Sequence, residues 1–513
     1  MNFKKWLSTA LILFVGGVLA LIVTLVLVLD APTPLRHGIE LAALSLEEAD
    51  VQSTLNVVEK QRRPNVVFIL ADDLGYGDLQ VYADTPIKTP SLTRLADEGM
   101  RFDNFYAPAP LCSPSRAGFP PGPGGFQEWL GERGSAVLAA LGTLDMRDGG
   151  NLVNGLPLFE LTIAEGLKQA GYRTGIVGKW HLGDFKRWPE FHPSQHGFDY
   201  FAGFNASNDD WPAAYFEGHE EIVEDIGIDQ SHYTQVFTEK SIEFVERHAQ
   251  SPFFLMVSHK DPHQPFFPSA DFAGQSDAGP YGDAVEELDA SVGEILAALE
   301  RLGVADHTLV VFASDNGPWY EGSAGALRGR KGVSHDGGYK VPFIVRYPAV
   351  IGANEVESVP VTGLDLLPTI FGFAGVDLPQ DRTIDGVRLF NEAGQIEVDP
   401  MRPIFMSAGF EFEAVRSGDL KFLSQASTYL WPFPIDKPVG IGAALAPRYT
   451  PADGDFTIDK LKHWPSLYDL SVDTSESYDI SPNEPEKTEA MSRLLKDWNR
   501  DFLRDVSGTE GRE

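Results

Sequence analysis

Runs of apolar, β-branched residues recur along the chain, and one after another they end in a cluster of polar residues. Asn65-Val66-Val67-Phe68-Ile69-Leu70 has the continuous apolar character of a strand buried on both faces of a parallel or mixed sheet, and it breaks into Ala71-Asp72-Asp73-Leu74-Gly75-Tyr76-Gly77-Asp78. The same pattern returns at Arg173 to Gly178, which delivers Lys179-Trp180-His181-Leu182-Gly183. It returns again at Phe253 to Ser258, ahead of His259-Lys260-Asp261-Pro262-His263-Gln264-Pro265, and at Thr308 to Ala313, ahead of Ser314-Asp315-Asn316-Gly317. Between them the chain predicts helices over Ser91 to Glu98, Tyr233 to Ala249 and Tyr281 to Leu302. A further helix is opened by the capping box Thr162-Ile163-Ala164-Glu165 and closed by Gly171. Arg101 to Tyr106 reads as one more strand, leading into Leu111-Cys112-Ser113-Pro114-Ser115-Arg116-Ala117. The alternation predicts an α/β fold: a large mixed, mostly parallel sheet flanked by helices. Its polar strand ends line one edge, where open α/β sheets hold their ligands.

The two ends of the chain have a different texture. After about Leu378 come short strand-like runs at Ile404 to Ala408, Glu413 to Ser417, Leu420 to Ser424 and Leu467 to Leu470. They predict a small C-terminal antiparallel sheet. A final amphipathic helix with Met491, Leu494, Leu495, Trp498 and Phe502 on one face is expected to pack on it. At the other end, Lys4 and Lys5 precede an uncharged apolar run from Trp6 to Leu29, long enough to cross a bilayer. It reads as an uncleaved signal anchor with the globular part outside the cytoplasm, in a periplasmic, extracellular or lumenal space. A cleaved signal peptide and a secreted chain are the alternative. The expected organisation is 1–30 anchor or signal, 31–63 polar linker, 64–378 catalytic α/β domain and 379–513 C-terminal subdomain.

Composition narrows the function. The 513 residues are 43% hydrophobic and 22% charged, as in a folded globular protein, and the formal net charge is -33. That balance excludes the basic footprint of a nucleic-acid partner, and an anionic substrate would need a local basic pocket. Cys112 is the single cysteine, so it makes no intramolecular disulfide and is either an inert small residue or a reactive one. Pro114 fixes the chain beside it, and Arg116, four positions on, offers a fork-shaped cation for an anion. Asp72 and Asp73 at a strand end offer metal ligands or simply helix caps.

Cys112 to Arg116 resembles the signature of the sulfatases, a family of the alkaline-phosphatase superfamily in which this cysteine is oxidised to formylglycine. The resemblance extends through Ala71 to Asp78, Gly178-Lys179-Trp180-His181-Leu182-Gly183, Pro262-His263-Gln264-Pro265, Ser314-Asp315-Asn316-Gly317 and Gly329-Arg330-Lys331-Gly332. It implies a sulfuric ester hydrolase acting on an aryl or carbohydrate sulfate. Asp72, Asp73, Asp315 and Asn316 offer hard oxygen ligands suited to Ca²⁺ or Mg²⁺, and the family metal, usually calcium, also contacts the side chain at position 112. Arg116, Lys179 and Lys331 would offset the carboxylates and bind sulfate. The hydrated formylglycine at position 112 would attack sulfur with help from Asp315. His263, assisted by Lys331, would protonate the leaving oxygen, and His181 would take the proton that restores the aldehyde. Implied partners are a sulfated small molecule or glycan, a formylglycine-generating enzyme during maturation and, through the N-terminal helix, a membrane. A phosphoester or phosphonate hydrolase of the same superfamily, or a pseudoenzyme that only binds sulfated ligands, are the competing readings.

Several positions stand apart. Asp336 occupies a place where the family usually carries glutamate and is left outside the site, and His259 reads as an ordinary hydrogen-bonded histidine. Asn205-Ala206-Ser207 is a glycosylation sequon. Substrate choice is expected from the loops Gly203 to Gly227 and Gly274 to Tyr281, with Trp211, Tyr215, Phe216 and Glu217 among the candidates. Where the family signature continues into a helix with a Thr-Gly-Arg element, this chain has Pro121-Gly122-Pro123. Residues 118–150 hold nine glycines and three prolines, which predicts a helix stopped after about one turn. The sharp boundaries of this window suggest a local reading-frame disruption with compensation, the alternative being real divergence. Resequencing the region decides between them.

Overall fold

The structure, a computed structural model, describes residues 63–118, 155–427 and 460–508, apart from positions 157, 159, 211, 383, 408–411 and 462–464. The apolar run Trp6 to Leu29, the linker up to position 62, the window from 119 to 154 and Trp211 lie outside the described residues. Among the described residues no helix is long and apolar enough to cross a membrane. Pro64–Glu513 is grouped as one compact unit.

The expected sheet is present and has ten strands. In chain order they are β1 (Asn65–Ala71), β2 (Met100–Phe102), β3 (Arg173–Lys179), β4 (Tyr200–Phe204), β5 (Tyr215–Glu217), β6 (Glu220–Val223), β7 (Phe253–Ser258), β8 (Thr308–Ser314), β9 (Phe343–Arg346) and β10 (Glu355–Glu357). Their order across the sheet is β10-β2-β9-β8-β1-β7-β3-β4-β5-β6. The five central strands, β8-β1-β7-β3-β4, are all parallel, while β9, β5 and β6 run antiparallel to their neighbours. Arg101 to Tyr106 is not one strand. It breaks at Asp103-Asn104, and Phe105–Tyr106 pairs instead with Val361–Thr362 in a separate two-stranded ladder.

The period-two alternation of β1 sorts its side chains into two cores. Val66, Phe68 and Leu70 join helices α3 (Ile163–Gln169) and α6 (Leu366–Ala374) on one face. Val67, Ile69 and Ala71 join α1 (Pro90–Asp97), α4 (Tyr233–His248) and α5 (Gly279–Arg301) on the other. Between α1 and α3 lies α2 (Cys112–Gly118). The capping box forms as expected, with Thr162 N donating to Glu165 Oε2 at 2.8 Å and Glu165 N to Thr162 Oγ1 at 2.9 Å.

The C-terminal sheet is also as expected. Strands β11 (Ile404–Ser407), β12 (Phe412–Ser417), β13 (Leu420–Leu423) and β14 (Ser466–Asp469) pair antiparallel in that order. Helix α7 (Pro485–Gly508) lays Met491, Leu495 and Phe502 on Phe412, Val415, Phe422 and Leu467. Trp498 stacks flat on Phe405, with ring centroids 4.2 Å apart.

Candidate active site

Four neighbouring parallel strands end side by side, and backbone bonds latch their ends together. His259 N donates to Leu70 O at 2.9 Å, Asp72 N to Asp261 O at 3.0 Å and Asp315 N to Ala71 O at 3.1 Å. The strands come unusually close beneath Lys179. A Cβ on Gly203 would sit 1.8 Å from Gly178 O, and one on Gly178, whose φ is +109, would sit 1.9 Å from Ser258 O. Only glycine allows that approach. Asp73 and His181 also hold left-handed backbones, with φ of 65 and 54, which turns both side chains off the strand direction.

Cys112 opens α2 with its side chain buried. Its Sγ lies 3.3 Å from Asp72 Oδ1, 3.6 Å from Asp73 Oδ1 and 3.1 Å from the Lys331 ammonium. Lys331 Nζ also donates to both Asp73 oxygens at 2.8 Å. Lys179 Nζ donates to Asp72 Oδ2. Arg116 donates from Nε to Asp315 Oδ2 at 2.9 Å, pairs with Asp72 at 3.3 Å and donates from Nη1 to Lys179 O at 3.2 Å. Asn316 Nδ2 donates to Asp73 Oδ1 at 2.7 Å. His263 Nε2 lies 3.6 Å from Asp73 Oδ2, and its Nδ1 is 2.6 Å from Gln264 O, which makes Nδ1 the donor. His181 stands at the rim, its Nε2 3.7 Å from Asp210. Asp72, Asp73, Cys112, Arg116, Lys179, His263, Asp315, Asn316 and Lys331 therefore share one neighbourhood, with His181 at its rim.

Its electrostatics follow from crowding. Burial, and next the Asp72 carboxylate, push the Cys112 thiol well above its ordinary value, so the unmodified thiol stays protonated. Burial works against the charge on Asp72, yet Lys179 and then Arg116 hold it well below the usual carboxylate range. Burial and then Asp72, with Asp73 adding to it, push Asp315 up to about 7. Burial, Lys179 and Arg116 keep His181 neutral at physiological pH.

The same group fits a divalent cation. Ligand atoms of Asp72, Asp73, Cys112 and His263 all lie within 4.8 Å of one another, and Asn316 Oδ1 is buried with no hydrogen-bond partner. Asp315, expected among the ligands, turns Oδ2 to Arg116 while its Oδ1 accepts from Asp73 N at 3.1 Å. The set is dominated by hard oxygens, and the carboxylate repulsion that raises Asp315 is what a divalent ion would relieve.

Some site groups carried no sequence signal. Ser258 looks like the last residue of an apolar strand, yet its hydroxyl accepts from Arg116 Nη1 at 2.5 Å and donates to Lys179 O at 2.7 Å. Asp209 and Asp210 lie in the expected specificity loop, and His263 and then Lys179 oppose burial to hold Asp209 below its ordinary value. The aromatic candidates of that loop are corrected. Tyr215 and Phe216 are β5 residues buried in opposite cores, and Glu217 pairs with Lys240 at 3.0 Å. His259 is a core histidine near Ser291 Oγ at 3.2 Å. Asp336 lies away from the sulfur, held by Tyr106 at 2.9 Å and Lys421 at 2.6 Å.

Comparison with known proteins agrees with this geometry. The model of the family Sulfatase matches residues 64–376. N-acetylgalactosamine-6-sulfatase of Homo sapiens is 34% identical over 459 residues, covering 84% of this chain and 84% of its own length. Steryl-sulfatase of Homo sapiens is 31% identical over 519 residues, covering 82% of this chain and 85% of its own. In fold, the solved structure of PsFucS1 sulfatase from Pseudoalteromonas sp. superposes with a TM-score of 0.71 at 24% identity, over 89% of this chain and 95% of that one. This chain belongs to the sulfatase family and is a sulfuric ester hydrolase.

Proposed function

We propose that the chain hydrolyses a sulfate ester of a sugar or of an aryl or steryl alcohol at the centre around Cys112. On this reading Cys112 is converted to formylglycine by a formylglycine-generating enzyme. A calcium ion, for which magnesium is the alternative, is held by Asp72, Asp73, Asp315 and Asn316 with the side chain at position 112. The observation that carries the reading is the gathering of one buried sulfur, two buried cations, a third cation with its side chain 10% exposed and two histidines at the carboxyl ends of four parallel strands. A structural cysteine needs no such company.

The hydrated aldehyde supplies the attacking oxygen, and the ion, when bound, neutralises carboxylates and draws charge from a sulfate oxygen. Arg116, Lys179 and Lys331 provide the remaining positive charge, and their buried ion pairs fix where it points. His263 fixes its ring through Nδ1 and Gln264 O, which leaves Nε2 to hand a proton to the departing alcohol. His181, kept neutral, is the group free to accept a proton from the side chain at position 112. Residues 64–378 form the catalytic domain and 379–513 a supporting subdomain, and Trp6 to Leu29 anchors the enzyme with its active site outside the cytoplasm.

The test is mass analysis of the Cys112 peptide from a host able to make formylglycine, joined to turnover of aryl sulfate against aryl phosphate. A converted residue and a preference for sulfate are expected. An unmodified thiol with no hydrolysis overturns the enzyme reading in favour of a binding protein, and a preference for phosphate overturns the substrate class.

A further inference from the structure

A cavity of about 420 Å³ lies between the catalytic sheet and the small C-terminal sheet, and it shares no lining residue with the centre around Cys112. Tyr76 and Tyr82 form one wall, and Arg101, Lys340 and Arg416 bring three cations to it. Lys340 is the informative one. Only 8% of it is exposed, and among the described residues its ammonium makes no hydrogen bond and no ion pair. Its neighbour is the ring of Tyr76, 5.0 Å away, which attracts the charge but cannot accept three N–H donors. Burial lowers its affinity for a proton, even though the Asp336 and Asp103 carboxylates favour its charge from a distance.

The other two cations are also incompletely used. Arg416 spends Nε on Gly418 O at 2.8 Å and Nη1 on Asn104 Oδ1 at 3.1 Å and on the Tyr106 hydroxyl. Its Nη2 has only Asp419 at 4.0 Å, a side chain 66% exposed. Arg101 Nε is buried without a hydrogen bond, although Asp103 is 3.3 Å away. The buried carboxylate of the cavity, Asp336, has one oxygen on Lys421 and the other on Tyr106, so it does not serve Lys340 through either. The lining also holds the carboxylates Asp103, Asp336 and Asp419, so its charges balance, and what stands in excess is N–H donors.

We propose that this cavity is a second oxyanion site, taking a sulfate-type group either free or carried on a sugar residue. Tetrahedral oxygens supply the acceptors that Lys340 and Arg416 lack. The volume falls in the range of small-molecule sites and exceeds what one free anion fills. The Tyr76 and Tyr82 rings, with centroids 4.7 Å apart, pack on each other and carry Lys340 and Arg101 on their faces, which holds both cations in the wall of the cavity. The assignment rests on these residues and not on the reading of the catalytic centre.

Soaking crystals of the full chain in selenate, an anomalous scatterer with the shape of sulfate, tests it directly. An anomalous peak beside Lys340 Nζ and Arg416 Nη2 is expected. A cavity holding water alone while the Cys112 centre fills overturns the proposal. In solution, calorimetric titration with inorganic sulfate and with a monosulfated monosaccharide separates the two sources of the anion. Tighter binding of the sugar assigns the site to a substrate chain, and equal binding assigns it to the free anion. Lys340→Gln should weaken this second binding event at least about tenfold, the loss expected for one charge-assisted hydrogen bond, and Lys340→Arg should retain it. Equal affinity in parent and Lys340→Gln overturns the proposal, and if Lys340→Gln does not fold, the selenate map of the parent decides.

Discussion

Replacing Lys421 with Met tests how the small sheet is fastened to the catalytic loops. Lys421 is fully buried in β13, its ammonium 2.6 Å from Asp336 Oδ1 and 2.9 Å from Glu476 Oε1. Methionine keeps the length of the stem, so the change removes charge with little change in packing. It leaves two buried carboxylates facing each other, and breaking such a pair costs about 3–5 kcal/mol. That is a factor of about 10² to 10⁴ in the folding equilibrium. The cost depends on pH with a definite sign. Burial, and next Asp336, push Glu476 up to about 7, so the folded chain holds a proton there that the unfolded chain releases at the ordinary carboxylate value. This contribution to stability is complete below the ordinary value and is lost as pH rises through about 7. Without Lys421 both carboxyl groups move higher, and the deficit of the variant is smaller at about pH 5 than at about pH 8. Urea denaturation at the two pH values reads the effect, and hydrogen exchange over Ile404–Leu423 and Ser466–Glu476 locates it. An unchanged midpoint at the higher pH, or a deficit independent of pH, would refute the reasoning.

Three further predictions concern the site itself. Ser258→Ala leaves Arg116 Nη1 with Lys179 O alone, and loss of a hydrogen bond to a charged group, about 1.5–3 kcal/mol, should lower kcat/KM on an aryl sulfate by about 10- to 100-fold. An unaltered kcat/KM would show that the serine does not position the guanidinium. With no cation bound, Asp315 keeps its proton up to about 7, so adding calcium to the chelator-treated protein below that pH should release a proton. Titration calorimetry in two buffers of different ionisation enthalpy detects it, and identical heats would contradict the ligand assignment. Gly203→Ala drives a methyl group to 1.8 Å from Gly178 O and should cost at least about 3 kcal/mol, whereas Gly218→Ala, with nothing within 4 Å of the new Cβ, should cost about 1 kcal/mol. Similar denaturation midpoints for the two variants would count against a tight contact between β3 and β4.

The catalytic half was legible because its physics is local. A strand buried on both faces has no polar position to spare, so Val66 to Leu70 and Thr308 to Ala313 announce themselves, and the first polar residues after them fall at the sheet's edge. Asp72, Lys179 and Asp315 were found that way. Ser258 was hidden because a lone serine ending an apolar run has no pattern of its own. The Lys421, Asp336 and Glu476 cluster was invisible for another reason. Its contacts span 85 and 140 positions of the chain, and only the docking of β13 beside the turn Asp336–Tyr339 brings them together. Tyr215 and Phe216 were misplaced because a loop rich in aromatic residues resembles a recognition surface until a hairpin is seen to run through it, β5 pairing with β6. Arg101 to Tyr106 has a strand's composition throughout, and the break at Asp103-Asn104 follows from a second ladder claiming Phe105–Tyr106.

The backbone bonds that latch the strand ends, Asp72 to Asp261, His259 to Leu70 and Asp315 to Ala71, involve no side chain. Substitutions other than proline at these positions leave their donors and acceptors in place. The polar strand ends are thus mounted on a fixture that is indifferent to its own decoration, and the loops above them can change what they recognise while the strand ends keep their register. Diversification on this scaffold is a matter of changing what reaches the edge of the sheet, because the edge is tied together by its own backbone.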